Sequence, residues 1–236
     1  MNRFAVFDID GTVIRWQLFH AIVGELARRK QLSPAAAGKI HEARMTWKRR
    51  DGEDSFKAYE HTLLDVYLEA LSGMSVVQYQ AAVENVFEEY KDQTYTYTRD
   101  LIRTLKEQGY LLFAISGSQQ EIVNKFAAYY GFDDAIGTHL EQLNGTFTGK
   151  SETPVQGKGA FLEKLLSRHD TSHDGSIAIG DSESDIPLLE AVERPIAFNP
   201  NAGLLKTAQA RGWNVVLERK NVVYELRNHD GTYLLA

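Results

Sequence analysis

Short, mainly apolar runs recur along the chain at Phe4 to Phe7, Tyr110 to Ile115, Ser176 to Ile179, Pro195 to Phe198 and Trp213 to Leu217. Each predicts a strand. Between them lie stretches of helical period, from Asp100 to Gln108, Glu121 to Tyr130, Lys158 to Arg168, Asp185 to Ala191 and Asn201 to Arg211. Apolar strands alternating with helices predict a parallel sheet covered on both faces. The expected fold is α/β: a doubly wound, Rossmann-like parallel sheet. Its ligand site should lie beyond the C-terminal ends of the strands.

One span breaks the alternation. From Trp16 to Gln93 no strand pattern occurs, while Leu18, Ile22 and Leu26, then Phe56, Tyr59, Leu63 and Val66, return at helical spacing. Ser33-Pro34 reads as a helix start, with serine as cap and proline at the first helical position. Asp51-Gly52 and Ser72-Gly73 read as turns. The span therefore predicts an inserted helical bundle: a cap over residues 15–93, with the core formed by 1–14 and 94–236. It should act as a lid over the end of the first strand or, alternatively, as the element that pairs two copies into a homodimer. Thr138 to Thr148 reads THLEQLNGTFT, and its Asn144-Gly145 pair signals a hairpin, a small flap expected beside the main sheet. The tail from Glu218 to Ala236 carries no legible motif.

Composition narrows the class. The 236 residues amount to one large domain or one with a subdomain. A net charge of −6 argues against a nucleic-acid partner. The longest apolar run is far shorter than the roughly 20 residues of a membrane span, and the N-terminal run is too short for a signal-peptide core. The absence of cysteine excludes disulfides, thiolate metal sites and thiol nucleophiles. A cytoplasmic globular protein is expected.

The first strand runs straight into Asp8-Ile9-Asp10-Gly11-Thr12. Alternation along a strand sends Asp8 and Asp10 to one side, where two carboxylates need a cation or a shared proton. The plainer alternative is a turn in which Asp10-Gly11 ends a strand. Ile177 to Gly180 then leads into Asp181, with Asp185 four residues later. Parallel strands end on one edge, so Asp181 should share a crevice with Asp8, although Asp185 could equally be a helix-start acid. Oxygen ligands without sulfur or paired histidine indicate a hard cation, Mg²⁺ first. Ser116-Gly117-Ser118 closes the second strand ahead of a helix, suggesting an anion cradle or, more plainly, a serine N-cap. Lys158, between Gly157 and Gly159 at a helix start, invites an anion or is simply solvated.

Taken in order, Asp-x-Asp-Gly-Thr, Ser-Gly, Lys and Gly-Asp-Ser-x-x-Asp resemble the motifs of the haloacid dehalogenase superfamily. The resemblance covers about Asn2 to Ile14 and Tyr97 to Val216, and the helical insertion is similar to the cap of the phosphoserine-phosphatase-like branch. It implies an Mg²⁺-dependent phosphomonoesterase acting on a small phosphorylated metabolite through an aspartyl-phosphate. Asp8 would be the nucleophile and Asp10 the general acid and then base. Asp8, the Asp10 carbonyl, Asp181 and Asp185 would serve the metal, and Ser116, Gly117 and Lys158 the phosphate. Transfer of the phosphoryl group to an acceptor other than water is the alternative reaction.

Substrate choice is less legible. Phosphoserine phosphatases use an acid shortly after the first motif for the substrate's ammonium, and the matching position here is the neutral Gln17. Their cap arginine aligns near Leu63. Trp16, Gln17, Phe19 and His20 are expected to face the site from the root of the cap, unless Trp16 and Phe19 merely pack its helices. Glu25 or Glu60 could supply the missing acid. The basic cluster Arg44, Lys48, Arg49 and Arg50 would attract an anion or form a solvated face.

Overall fold

The computed structural model describes residues 2–52, 55–229 and 232–236. The Phe56 side chain, expected on an apolar helix face, lies outside the described residues. In chain order the elements are β1 (Asn2–Phe7), α1 (Leu18–Arg28), α2 (Pro34–Arg49), α3 (Ser55–Leu71), α4 (Val76–Tyr90), α5 (Thr96–Glu107), β2 (Leu111–Gln119), α6 (Gln120–Tyr130), β3 (Asp134–Leu143), β4 (Thr146–Glu152), α7 (Lys158–Leu166), β5 (Thr171–Gly180), α8 (Ile186–Glu190), β6 (Arg194–Phe198), α9 (Ala202–Arg211), β7 (Asn214–Arg219), β8 (Val222–His229) and β9 (Thr232–Leu235). A 3₁₀ turn, Glu183–Asp185, precedes α8.

The sheet runs β4-β3-β2-β1-β5-β6-β7-β8-β9. From β3 to β7 every pairing is parallel. Chain order runs outward from β1 to β3 on one side and from β5 to β7 on the other. The reversal falls between β1 and β5, where a doubly wound sheet opens a crevice at its C-terminal edge. Phe4 to Phe7 are fully buried, as a central strand covered on both faces requires. Phe4, Val6, Phe113, Ile115, Ala178, Leu188, Leu204 and Val215 share one apolar core. Truncating one of its phenylalanines to alanine would cost about 3–5 kcal/mol.

The chain divides into two compact units: residues 1–17, 89–138 and 153–236, and residues 18–88 with 139–152. The second unit holds α1 to α4. Leu18, Ile22 and Leu26 of α1 are buried, with Tyr59, Leu63 and Val66 of α3 and Tyr79, Val83 and Val86 of α4. Ser33 caps α2 by accepting the Ala36 N–H at 3.1 Å, ahead of Pro34. No described residue of α2 is fully buried.

The hairpin lies beside the sheet as expected, with β4 pairing β3 at the edge. Its turn is as the sequence indicates, with Asn144 at φ 50° and Gly145 at φ 78°. Residues 139–152 also group with the helices α1 to α4. Phe147 explains this: it is buried against the Tyr79 ring at 5.0 Å, and its N–H and carbonyl bond Met74 and Gly73. The tail, which carries no legible motif, forms two strands. β8 and β9 extend the sheet in antiparallel register from β7, with Leu217 opposite Tyr224 and Leu226 opposite Leu235. Their alternation is blurred because Val222, Val223, Leu234 and Leu235 put apolar residues on both faces.

Candidate active site

All six charged or hydroxyl residues that the core motifs nominate lie in the first unit, at the C-terminal edge of its strands. Asp8 follows β1, held by its N–H to the Ile179 carbonyl of β5 at 2.9 Å. Gly11 turns the chain at φ 81°, and a Cβ there would collide with the Asp181 carboxylate. That close approach lets the β1 and β5 loops share one site.

Lys158, the first residue of α7, is 2% exposed and bridges two acids. Its Nζ donates to Asp8 Oδ1 at 2.6 Å and to Asp185 Oδ1 at 2.5 Å. The other oxygen of Asp185 accepts the N–H groups of Asp181 and Ser182 at 3.1 and 3.0 Å and the Ser182 hydroxyl at 3.1 Å. Asp185 is thus more than a helix-start acid, because its carboxylate fixes both the lysine and the loop that carries Asp181.

Asp10 is clamped differently. Ser116 Oγ donates to its Oδ2 at 2.6 Å and Ser118 Oγ to its Oδ1 at 3.1 Å. Here the plainer alternative, a serine N-cap, is corrected. β2 continues through Ser116, Gly117 and Ser118 to Gln119, and Gln119 occupies the N-cap of α6 without a side-chain cap bond. The Thr138 hydroxyl donates to the Gly117 carbonyl at 2.7 Å and helps hold this extension beside β3. Ser116 is therefore not a helix cap. Ser118 was not among the nominated residues, although the two-residue alternation that pairs Asp8 with Asp10 also pairs Ser116 with Ser118.

Electrostatics follow from burial. Asp8 is pushed up to about 7, by burial first and by Asp185 and Asp10, against the pull of Lys158. Asp181 rises to about 9 through burial and the neighbouring Asp8 and Asp185. Burial works against the Lys158 charge, but Asp185 and Asp8 more than offset it, so its ammonium is held above the ordinary range. Asp8, Asp181 and Asp185 each offer an oxygen, all within 4.8 Å of one another. Three crowded carboxylates against one ammonium leave unbalanced negative charge. An all-oxygen set of that kind suits a small divalent cation.

The nominated selectivity residues fall on both sides of the boundary between the units. Trp16 and Gln17 belong to the first unit, and Trp16 is exposed. Phe19 and His20 belong to the second, with ring contacts at 5.2 Å to Tyr67 and Tyr59 respectively. Glu25 is not a free acid: it is buried and accepts from Arg28, from Arg29 at 2.6 Å and from Asn85 at 2.9 Å. Burial opposes its charge, but these donors hold it below the usual carboxylate range. Glu60 lies 3.8 Å from His20. Arg44, Lys48, Arg49 and Arg50 are exposed around the C-terminal end of α2, where the helix dipole favours cations.

Comparison with known proteins agrees with this geometry. A family model described as haloacid dehalogenase-like hydrolase matches residues 5–190. Phosphoserine phosphatase SerB1 of Mycobacterium tuberculosis is 29% identical over 149 residues, covering 61% of this chain and 48% of the relative. The chain thus spans about half the length of that relative. A histidinol-phosphatase of Neisseria meningitidis is 27% identical over 230 residues, covering 92% of this chain and 99% of the relative. A protein of unknown function from Bordetella pertussis Tohama I superposes with a TM-score of 0.74 at 26% identity, over 91% of this chain and 98% of that one. With the matched family spanning most of the chain and its motif residues converging at one sheet edge, the protein belongs to the haloacid dehalogenase-like hydrolases.

Proposed function

We propose that the protein is a divalent-cation-dependent phosphomonoesterase acting on a small phosphorylated metabolite. The observation that carries this reading is the pairing of two carboxylates with opposite settings. Asp8 sits against an ammonium and two further acids, whereas Asp10 is held by two hydroxyls. A nucleophile and a proton carrier need such different surroundings.

Asp8 attacks phosphorus, forming an aspartyl-phosphate as the alkoxide departs. Asp10 gives its proton to the leaving oxygen, and Ser116 and Ser118 fix the direction of that carboxyl. In the second step Asp10 takes a proton from the attacking water, which releases phosphate and regenerates Asp8. Lys158 keeps Asp8 oriented and offsets the charge of the phosphoryl oxygens; when phosphate binds, the Ser116 hydroxyl turns its one proton from Asp10 to a phosphoryl oxygen beside the Gly117 backbone, and Ser118 keeps the direction of Asp10. Asp8, Asp181 and Asp185 would hold Mg²⁺, which supplies positive charge between carboxylate nucleophile and phosphate.

The two named relatives are a phosphoserine and a histidinol-phosphate phosphatase. Both names point to small amino-alcohol phosphates as substrates to test. The test is phosphate release from a panel of phosphorylated metabolites with Mg²⁺, run with and without added alcohols as acceptors. Release of phosphate from one class well above the rest supports the reading, and no turnover with any phosphomonoester overturns it. Phosphorylated alcohol in place of free phosphate would identify a phosphotransferase.

A further inference from the structure

Glu218 is a buried acid that the proposed chemistry does not use. Its side chain is 1% exposed, at the end of β7, distant in sequence from every motif above. It accepts the first free N–H groups of α5, from Thr96 at 3.0 Å and Tyr97 at 2.8 Å, and it is paired with Arg15. Its own N–H donates to Asn199 Oδ1 at 2.8 Å. Arg15 in turn donates through Nε to the Thr94 carbonyl at 2.8 Å and lies over the Tyr95 ring at 5.0 Å.

These contacts converge on the loop that carries Asp10. That loop closes on itself through the Gly11 N–H to the Ile14 carbonyl at 3.0 Å. It is then stitched to residues 93–98 by three further hydrogen bonds. Two of them make the Ile14–Thr94 bridge, the first from the Tyr95 N–H to Val13. Arg15 N–H donates to Gln93, and the Thr98 hydroxyl to the Thr12 carbonyl at 2.9 Å. Residues 93–98 thus brace the segment 12–15 that follows Asp10, and Glu218 ties both that brace and Arg15 to the end of β7.

We propose that Glu218, acting with Arg15, is a positioning residue that sets the Asp10 carboxyl for proton transfer. The inference rests on the reading of Asp10 as the proton donor. Misplacement of a catalytic group by about an ångström can cost about a hundredfold even when the change is remote. The loss should fall on the step that needs the proton, not on catalysis as a whole.

The experiment compares kcat/KM, which reports the steps up to departure of the alcohol and leaves out the later attack of water, on two probes: glycerol phosphate, whose alkoxide needs a proton to leave, and p-nitrophenyl phosphate, whose phenolate leaves without one. The proteins are the unaltered chain, Glu218→Gln, Arg15→Lys and Asp10→Asn, each with a thermal melt. Glu218→Gln should lower kcat/KM on glycerol phosphate about ten- to hundredfold, the equivalent of one charge-assisted contact, and kcat/KM on p-nitrophenyl phosphate far less. Arg15→Lys, at a half-exposed site that need not unfold the chain, should show the same selective loss at smaller size. Equal losses on both probes for Glu218→Gln and Arg15→Lys, with Asp10→Asn still selective, would overturn the positioning role alone. An Asp10→Asn loss that is equal on both probes would overturn the assignment of Asp10, and this inference with it.

Discussion

The two units spend their buried polar groups on opposite ends. In the first, Lys158 bonds Asp8 and Asp185, and Ser116 bonds Asp10, across segments that are far apart in sequence, and Asp8, Asp181 and Asp185 crowd like charges into one place. In the second, Glu25 is satisfied by Arg28, Arg29 and Asn85, and the Tyr67 and Tyr79 hydroxyls meet at 2.9 Å. One arrangement retains unbalanced charge for a ligand to resolve, while the other resolves its charge internally. Crowded charge marks chemistry and satisfied charge marks packing, although both are buried acids by sequence alone.

The sharpest way to break this contrast is to remove the nucleophile. Asp8→Asn preserves shape, so turnover should fall at least ~10³-fold, the scale of nucleophile loss. Thermal stability should hold or rise, since a carboxylate is removed from a site with excess negative charge. Steady-state kinetics and a melt on the same sample check both. Retention of a tenth of the original turnover would contradict the role of Asp8.

Metal removal probes the same excess charge. EDTA should abolish activity and Mg²⁺ restore it. The pH dependence has a definite sign. Asp8 at about 7 and Asp181 at about 9 are both raised, so the metal-free site contributes stability while protonated. That contribution is complete below the ordinary carboxylate range and is lost as pH rises through 7 to 9. A cation displaces those protons, so its affinity climbs by up to about tenfold per pH unit for each proton released. The gap in melting temperature between Mg²⁺ and EDTA should therefore widen from pH 6 to pH 9. A constant or narrowing gap would mean that the acids do not hold the ion.

The mirror experiment is Glu25→Ala. It removes the acceptor for two arginines and Asn85, and should destabilise the protein by about 1–3 kcal/mol, less than a fully sequestered ion pair because both arginines reach solvent. Because Glu25 is held below the usual carboxylate range, its contribution is present above that range and fades as pH falls. Chemical denaturation at pH 7 and at pH 4 should show the difference between the variant and the unaltered chain shrinking at the lower value. At neutral pH, kcat should change far less than for Asp8→Asn. A kcat loss of comparable size would erase the contrast between the units.

Legibility in the sequence follows the same divide. The parallel core was readable because a strand covered on both faces must be apolar throughout, and its polar exit then stands out, as at Phe4 to Asp10 and Ile177 to Asp181. The helices of the second unit were readable as elements from Leu18, Ile22 and Leu26, but not as a surface, because helical period says which face is buried and not what it meets. Glu25 illustrates this: only the structure shows that three donors already occupy it. Residues 139–152 were readable as a hairpin through Asn144-Gly145, but their place depended on Phe147 meeting Tyr79, a contact no local pattern encodes. Glu218 was illegible because an isolated acid in a strand of mixed polarity has no periodicity to betray its partners.

The smallest expected effect concerns selectivity, where the two units meet in the chain at Gln17 and Leu18. Gln17 is neutral where the resemblance calls for an acid, and Glu25 is already committed to its own donors. A substrate ammonium placed against Gln17 would forgo a charge-assisted hydrogen bond worth about 1.5–3 kcal/mol. Gln17→Glu should restore part of it, because a half-buried carboxylate at this position remains screened by water. An increase of about tenfold in kcat/KM for phosphoserine over an uncharged phosphomonoester is expected. The change should appear mainly in KM, since the ammonium contact is made equally in the ground and transition states. The control is an uncharged alkyl phosphate, whose kcat/KM should stay level or fall slightly as negative charge is added near the dianion. If phosphoserine is already the preferred substrate of the unaltered chain, or if Gln17→Glu leaves the ratio unmoved, selection for the ammonium resides in residues other than Gln17.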